Sequence, residues 1–318
     1  MSPQETTVRD AGEFGLIHAV TQGRKQPPAT LLGPGDDAAV VAAPDGRVVA
    51  STDVLVEGVH FRLDWSSAEQ VGRKAIAVNL ADIAAMGATP TSVLIGLACP
   101  SDTPVKVITE LTDGMWLEAD RAGVGIVGGD MVRADKLVIS VTALGDLGGR
   151  APVTRSGARP GDVVAVCGRL GWAAAGLAVL GRGFRSPVGV VNAQRHPEPP
   201  YEAGREAADA GATSMIDISD GLLADLGHIA EASEVGIDLE TQRLVVPTRL
   251  AEVGSALGAD PLRWMLTGGE DHALAATFPP FVDLPGEWTR IGAVTMPESG
   301  VTVDGKTYEH ETGWEHWR

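Results

Sequence analysis

The chain is short of aromatic residues, of cysteine and of basic residues, and each shortage removes a class of function. Phe, Trp and Tyr make up only 4% of its 318 residues, so its core must be packed mainly from Ala, Val and Leu. The 40 Gly and 20 Pro indicate many tight turns, without the enrichment that marks disorder. Basic residues number 25 against 42 acidic ones, a formal net charge of −17. Nucleic acids and anionic membranes recruit Lys and Arg to their phosphates, and this balance argues against both. Cys99 in LIGLACP and Cys167 in VVAVCGR are isolated in apolar stretches without metal-ligand spacing, and read as core residues in a reducing compartment. No apolar run approaches the ~18 residues that span a bilayer. The N-terminus, MSPQETTVRDAGEF, is polar and lacks a hydrophobic signal region. The expectation is a cytoplasmic protein.

What is present is a mixed pattern of strands and helices. Segments 38–43, 47–53 and 91–98 are short apolar runs beside turn residues, as strands are. Residues 68–86 are Ala-rich and helical in period, and a second helix fits 104–122, followed by strands at 124–127 and 136–144. The stretch GDLGGRAPVTRSGARPGD, 145–162, is dense in Gly, Pro and Arg and reads as a domain junction. The pattern then restarts with a strand at 163–168 and a helix at 171–181. The stretch 183–200 is loop-rich and carries HPEPP. A helix near 201–210, strand SMIDI, a helix at 220–234 and strands at 273–278, 288–294 and 301–308 follow. The expectation is two α/β or α+β domains, residues 1–148 and 149–318.

Two motifs are decoys. GVTVDGKT at 300–307 matches the phosphate-loop pattern, whose chemistry needs a strand, the loop and then a helix whose amides face the phosphates. Here VTV-DG-KTY reads as a β-hairpin with a tight Asp-Gly turn. GVGIVG at 123–128 matches the dinucleotide fingerprint but follows a helix and leads into a strand, the reverse of what that site requires.

The acidic positions carry more. Asp36 and Asp37 in GPGDDAAVV, Asp53 in STDVLVEGVHF, Asp130 in GGDMVR, and Asp217 and Asp220 in MIDISDGLLADL stand at the ends of apolar segments. Asp82 shares a helical stripe with Val71, Ala75 and Val78, where a carboxylate is costly unless paired or bound to metal. In DISDG a strand ends at Ile216–Asp217, and Ser219 or Asp220 is expected to cap the next helix. Capping leaves the second carboxylate unexplained. Ser51, Thr52 and Asp53 add hydroxyls and a carboxylate at a strand end, and GGD at 128–130 adds backbone amides beside a carboxylate. The common chemistry is hard oxygen ligation without His or Cys clusters, which suits Mg²⁺ rather than Zn²⁺.

In order along the chain, GPGDDAAVV, STDVLVEGVHF, KAIAVNLADIAAMGA, GGDMVR, TRSGARPGD, MIDISDGLLADLGHIA and TGGEDHAL resemble the thiamine-monophosphate kinase family of the aminoimidazole-ribonucleotide-synthetase-like superfamily. The match runs from about residue 12 to the C-terminus. The resemblance implies a homodimer whose N-terminal domains contribute strands to a shared β-barrel, a C-terminal α+β domain, and ATP whose phosphates are held by several Mg²⁺ ions. Carried over motif by motif, it implies metal ligation by Asp37, Ser51, Thr52, Asp53, Asp82, Asp130, Asp217 and Asp220. ATP contacts fall to Gly129, Asp130, Arg155 and Ser219, and contacts to thiamine monophosphate fall to His60, Glu270 and Trp314. Asp53, Asp130 and Arg155 are the residues expected closest to the chemistry. The implied reaction is direct in-line transfer of the γ-phosphoryl group to the substrate's phosphate. Selenophosphate-synthetase-like or purine-ligase activity, and a two-metal phosphohydrolase, are the alternatives at this stage.

Overall fold

A computed structural model describes residues 6–11, 13–34, 38–297 and 300–314. The chain divides into two compact units, Met1–Ile83 with Pro90–Gly148, and Ala84–Thr89 with Gly149–Arg318.

The first unit opens with α1 (Val8–Ala11), α2 (Glu13–Thr21) and a small antiparallel pair, β1 (Thr30–Leu32) and β2 (Val40–Val41). Its main elements are β3 (Val49–Val56), α3 (Ala68–Ala85), β4 (Thr89–Cys99), α4 (Val105–Ala122), β5 (Gly125–Arg133) and β6 (Val138–Asp146). Helix α3 starts on a reciprocal cap: Gln70 N–H donates to Ser67 Oγ at 3.2 Å and Ser67 N–H to Gln70 Oε1 at 3.0 Å, the Ser-x-x-Gln signature of a helix start. Helix α4 stops at Gly123, whose φ of 68° returns its amide to the last turn. The two helices approach through glycine. A Cβ on Gly72 would lie 1.9 Å from Leu111 O, and one on Gly114 1.9 Å from Glu69 O. Strands β3 and β6 pair antiparallel, β4 and β5 pair parallel, and the sheet order is β3-β6-β4-β5. Its core is aliphatic, with Val71, Ile76, Leu80, Ile83, Ile108, Leu111, Met115 and Ile139 all buried.

The second unit holds β7 (Val163–Cys167), α5 (Trp172–Gly181), α6 (Val188–Arg195), α7 (Tyr201–Asp209), β8 (Ser214–Ile218) and α8 (Leu222–Ser233). It continues with β9 (Gly236–Leu239), α9 (Thr248–Leu257), α10 (Pro261–Thr267), β10 (Ala273–Phe278), β11 (Thr289–Thr295), β12 (Val301–Val303) and β13 (Lys306–Thr307). The seven strands form one sheet in the order β13-β12-β9-β11-β7-β10-β8. Among the described residues only β12 and β9 pair parallel, so this is an α+β layer. One aromatic pair reinforces its core, Phe278 and Trp288 edge to face at 5.5 Å. Both cysteines are buried, and burial, with Glu287 and Glu206 nearby, pushes the Cys167 thiol up to about 11. Such a thiol is an inert packing group.

Both decoys resolve as structure. Asp304 and Gly305, at φ 50° and 72°, turn β12 back onto β13, and GVGIVG is a helix stop running into β5. Two expectations need correction. Residues 188–195, inside the stretch read as loop-rich, form α6; a helix of eight residues with three valines is held by packing on its neighbour rather than by its own propensity. Neither Ser219 nor Asp220 caps α8. The cap is Gly221, with no side-chain cap bond of its own. The carboxylate of Asp225, one turn in, accepts from Asp220 N–H at 3.1 Å and Gly221 N–H at 3.0 Å instead. Among the described residues the β3-β6-β4-β5 sheet of the single chain is open, with no barrel closed within one chain. No helix among the described residues is long and apolar enough to cross a membrane.

Candidate functional site

The candidate residues fall into two groups, one in each unit. In the first, strand alternation puts Ser51 and Asp53 on one face of β3 and Thr52 on the other. Ser51 Oγ donates to Asp82 Oδ2 at 2.6 Å. The carboxylate on the apolar stripe of α3 is therefore paired, by a hydroxyl on the neighbouring strand. β3 is an edge strand, so the outward amide of Asp53 needs a partner outside the ladder. Asn79 supplies it: its Oδ1 accepts from Asp53 N–H at 2.9 Å while its Nδ2 donates to Ala75 O at 2.9 Å. Fully buried Asn79 was not singled out from the sequence, although it lies four residues after Ala75 and three before Asp82 on the same stripe. Thr52 does not join this group through its side chain. Its hydroxyl donates to Val141 O at 2.9 Å and accepts from Thr142 Oγ1 at 3.2 Å.

His60 sits in the turn after β3. Its Nδ1 accepts from Val56 N–H at 3.0 Å, which leaves the proton of a neutral ring on Nε2. The ammonium of buried Lys74 donates to His60 O at 3.1 Å and fixes that turn on α3. Gly129 and Asp130 lie on β5, the opposite edge of the sheet, with β6 and β4 between them and β3. One chain therefore does not bring Asp130 beside Asp53. A Cβ on Gly129 would lie 2.1 Å from Ile95 O, so the residue before Asp130 has to be glycine for β5 to pair with β4. Asp36 and Asp37 lie outside the described residues.

In the second unit, Asp217 is buried on β8 and its Oδ2 lies 3.0 Å from His272 Nδ1. Ser219, Asp220 and Glu270 converge through the backbone. Glu270 N–H donates to Ser219 O at 2.8 Å and His272 N–H to Ile218 O at 3.0 Å, prolonging the β8–β10 ladder. Trp314 N–H donates to Asp220 O at 3.0 Å, which ties the C-terminal segment to the same loop. Helix α8 points its N-terminus at this cluster, favourable for an anion. Burial pushes the carboxyl of Asp225 up to about 7, aided by Asp217 and Asp220 and opposed by the amides of Gly221 and Asp220. Arg155 is exposed on a loop beside the start of β8, whereas Ser219 and Asp220 follow its end. Ser233 holds that loop, donating to Arg155 O at 2.9 Å and accepting from Gly157 N–H at 3.0 Å.

No three His, Cys, Asp or Glu residues among the described residues are grouped so as to cage a metal ion. Each cluster instead offers one or two carboxylates with hydroxyls beside them. That donor set fits Mg²⁺, which keeps much of its water and takes its other oxygens from phosphates.

Two family models match the chain: AIR synthase related protein, N-terminal domain, over residues 35–147, and its C-terminal domain over residues 159–272. A thiamine-monophosphate kinase from Mycobacterium tuberculosis is 51% identical over 316 residues, covering 99% of this chain and 94% of that protein. The chain belongs to the thiamine-monophosphate kinase family. Solved structures of the family agree in fold. The enzyme from Stenotrophomonas maltophilia superposes with a TM-score of 0.79 at 32% identity, over 92% of this chain and 95% of that one. AaThiL complexed with AMPPCP and TMP gives a TM-score of 0.78 at 35% identity, over 97% of this chain and 98% of that one. Of the candidate residues, Arg155 falls between the two matched spans and Trp314 beyond them.

Proposed function

We propose that this chain transfers the γ-phosphoryl group of ATP to the phosphate of thiamine monophosphate, yielding thiamine diphosphate and ADP. The observation that carries this reading is the 51% identity with a thiamine-monophosphate kinase over 99% of the chain. The bond formed joins a substrate phosphate oxygen to the γ-phosphorus, and the bond broken frees ADP. The acceptor oxygen of a phosphate monoester is largely ionised near neutral pH, so no general base is needed. Catalysis then rests on alignment and on neutralising charge.

Charge is the difficulty for a chain at −17 with two anionic substrates. Mg²⁺, several ions of it, supplies the positive charge when bound. Asp37, Ser51, Thr52, Asp53, Asp82, Asp130, Asp217 and Asp220 are its proposed ligands, Thr52 entering least easily because its hydroxyl donates to Val141 O. Gly129, Asp130, Arg155 and Ser219 face ATP, and the Arg155 guanidinium donates to the transferring group. His60, Glu270 and Trp314 receive thiamine monophosphate, a carboxylate and an indole face both suiting its cationic thiazolium ring. The link of Glu270 to Ser219 and of Trp314 to Asp220 supports this grouping. The enzyme works in the cytoplasm as a homodimer of chains with domains 1–148 and 149–318. Support for the dimer is the edge position of β3 and β5 among the described residues, with exposed Val54, Leu94 and Val132 on the same sheet.

The test is to incubate the protein with ATP and Mg²⁺ and either thiamine monophosphate or thiamine, and to quantify thiamine diphosphate. Product from the monophosphate alone, lost with EDTA and in Asp53→Ala, is expected. ATP consumed without thiamine diphosphate would move the activity to another member of the superfamily.

A further inference from the structure

The side chain of Glu270 is held from an element that sequence patterning did not mark as a helix. Gln194, buried on α6, donates its Nε2 to Glu270 Oε2 at 2.6 Å. A hydrogen bond of this length to a carboxylate is charge-assisted, and roughly twice as strong as one between neutral groups. The residues around it form a closed circuit. Helix α6 lies so close to α5 that a Cβ on Gly176 would sit 2.1 Å from Val190 O and 3.0 Å from Gln194 Cβ. Glycine at position 176 thus sets how deep Gln194 is seated. The N-terminus of α5 is in turn fixed by the residue next to Glu270, since Asp271 Oδ1 accepts from Ala173 N–H at 2.9 Å. Glu270 and His272, on either side of Asp271, have φ of 67° and 50°. Non-glycine residues hold such angles, at about 1–3 kcal/mol each, only where the surroundings over-determine them.

We infer that Gln194 is a positioning residue for substrate binding: it fixes the Glu270 carboxylate in the orientation that meets the cationic ring of thiamine monophosphate. The inference rests on the assignment of Glu270 to that substrate. Gln194 itself need touch neither substrate. Its loss should loosen the hold on the Glu270 carboxylate while leaving ATP binding alone.

The experiment is steady-state kinetics of Gln194→Leu, Glu270→Gln and the double variant, with KM for thiamine monophosphate and for ATP measured separately. Gln194→Leu is expected to raise KM for thiamine monophosphate about tenfold, in line with one hydrogen bond to a charged group, with kcat and KM for ATP near wild type. In the Glu270→Gln background the same change should add less than about twofold, the mark of two residues acting as one. If Glu270→Gln raises that KM but Gln194→Leu does not, or if its effect is undiminished in the double variant, Gln194 does not act through Glu270. If Glu270→Gln leaves it unchanged, the substrate assignment falls and the inference with it. Should Gln194→Leu fail to fold, Gln194→Asn, an amide one methylene too short to reach, gives the same readings.

Discussion

The backbone amide of Trp314 donates to the carbonyl of Asp220 at 3.0 Å, fastening the C-terminal segment to the turn between β8 and α8. The fit around it is tight: a Cβ on Gly313 would lie 2.6 Å from Ala224 Cβ and 2.8 Å from Asp220 O. The indole beyond it is exposed at 63%, as a side chain available to a ligand would be.

Two substitutions separate the indole from its tether. Trp314→Ala should raise KM for thiamine monophosphate about tenfold, in keeping with a cation–π contact of ~1–2 kcal/mol, and leave KM for ATP in place. Gly313→Ala keeps the indole but pushes the segment off Ala224, and should raise the same KM. Unchanged kinetics in both would remove Trp314 from the substrate site.

The start of α8 allows structure and function to be told apart. Asp225→Ala removes the acceptor of two backbone amides and should lower stability by about 1–2 kcal/mol, the usual cost of a lost cap. Ser219→Ala removes no capping bond and should leave stability within about 0.5 kcal/mol of wild type, yet weaken ATP binding. Urea titrations beside nucleotide-binding isotherms check the pair. A large stability loss in Ser219→Ala would mean that the hydroxyl serves the fold.

Stability should also depend on pH through Asp271. Burial pushes its carboxyl up to about 7, against the amides of Ala173, Gly171 and Trp172 and nearby His272, which hold it down. In the unfolded chain it titrates near ~3.9. Between these values the native state binds the extra proton, so stability falls as pH rises from about 4 through about 7 and then levels. Urea midpoints measured in EDTA should show this slope. Asp271→Asn should make it shallower without abolishing it, because Asp225, also raised to about 7, contributes with the same sign. A slope unchanged by Asp271→Asn would mean that Asp271 stays ionised throughout that range.

Much of the fold was legible because its signals are local. The end of α4 before Gly123, the Asp304–Gly305 turn and the period of α3 are each contained within a few neighbouring residues, and each appears where the chain alone suggests. The cap on α8 misled for an instructive reason. Ser219 and Asp220 are good capping residues, but so is a carboxylate one turn in, and only the folded turn shows that Asp225 takes the amides.

The sequence by itself determined the chemistry of the donors: carboxylates and hydroxyls at segment ends, an acidic surface, and motifs specific enough to name a family. Those properties belong to residue types and short spacings. Only the tertiary structure decided which donors meet. It paired Ser51 with Asp82 across 31 positions, Gln194 with Glu270 across 76 and Asp271 with Ala173 across 98. It also turned Thr52 away from its neighbours and set Asp53 and Asp130 on opposite edges of one sheet. The physical reason is that strand order and helix docking are settled by burial summed over a whole layer, and no local stretch of sequence records the partner that it will meet there.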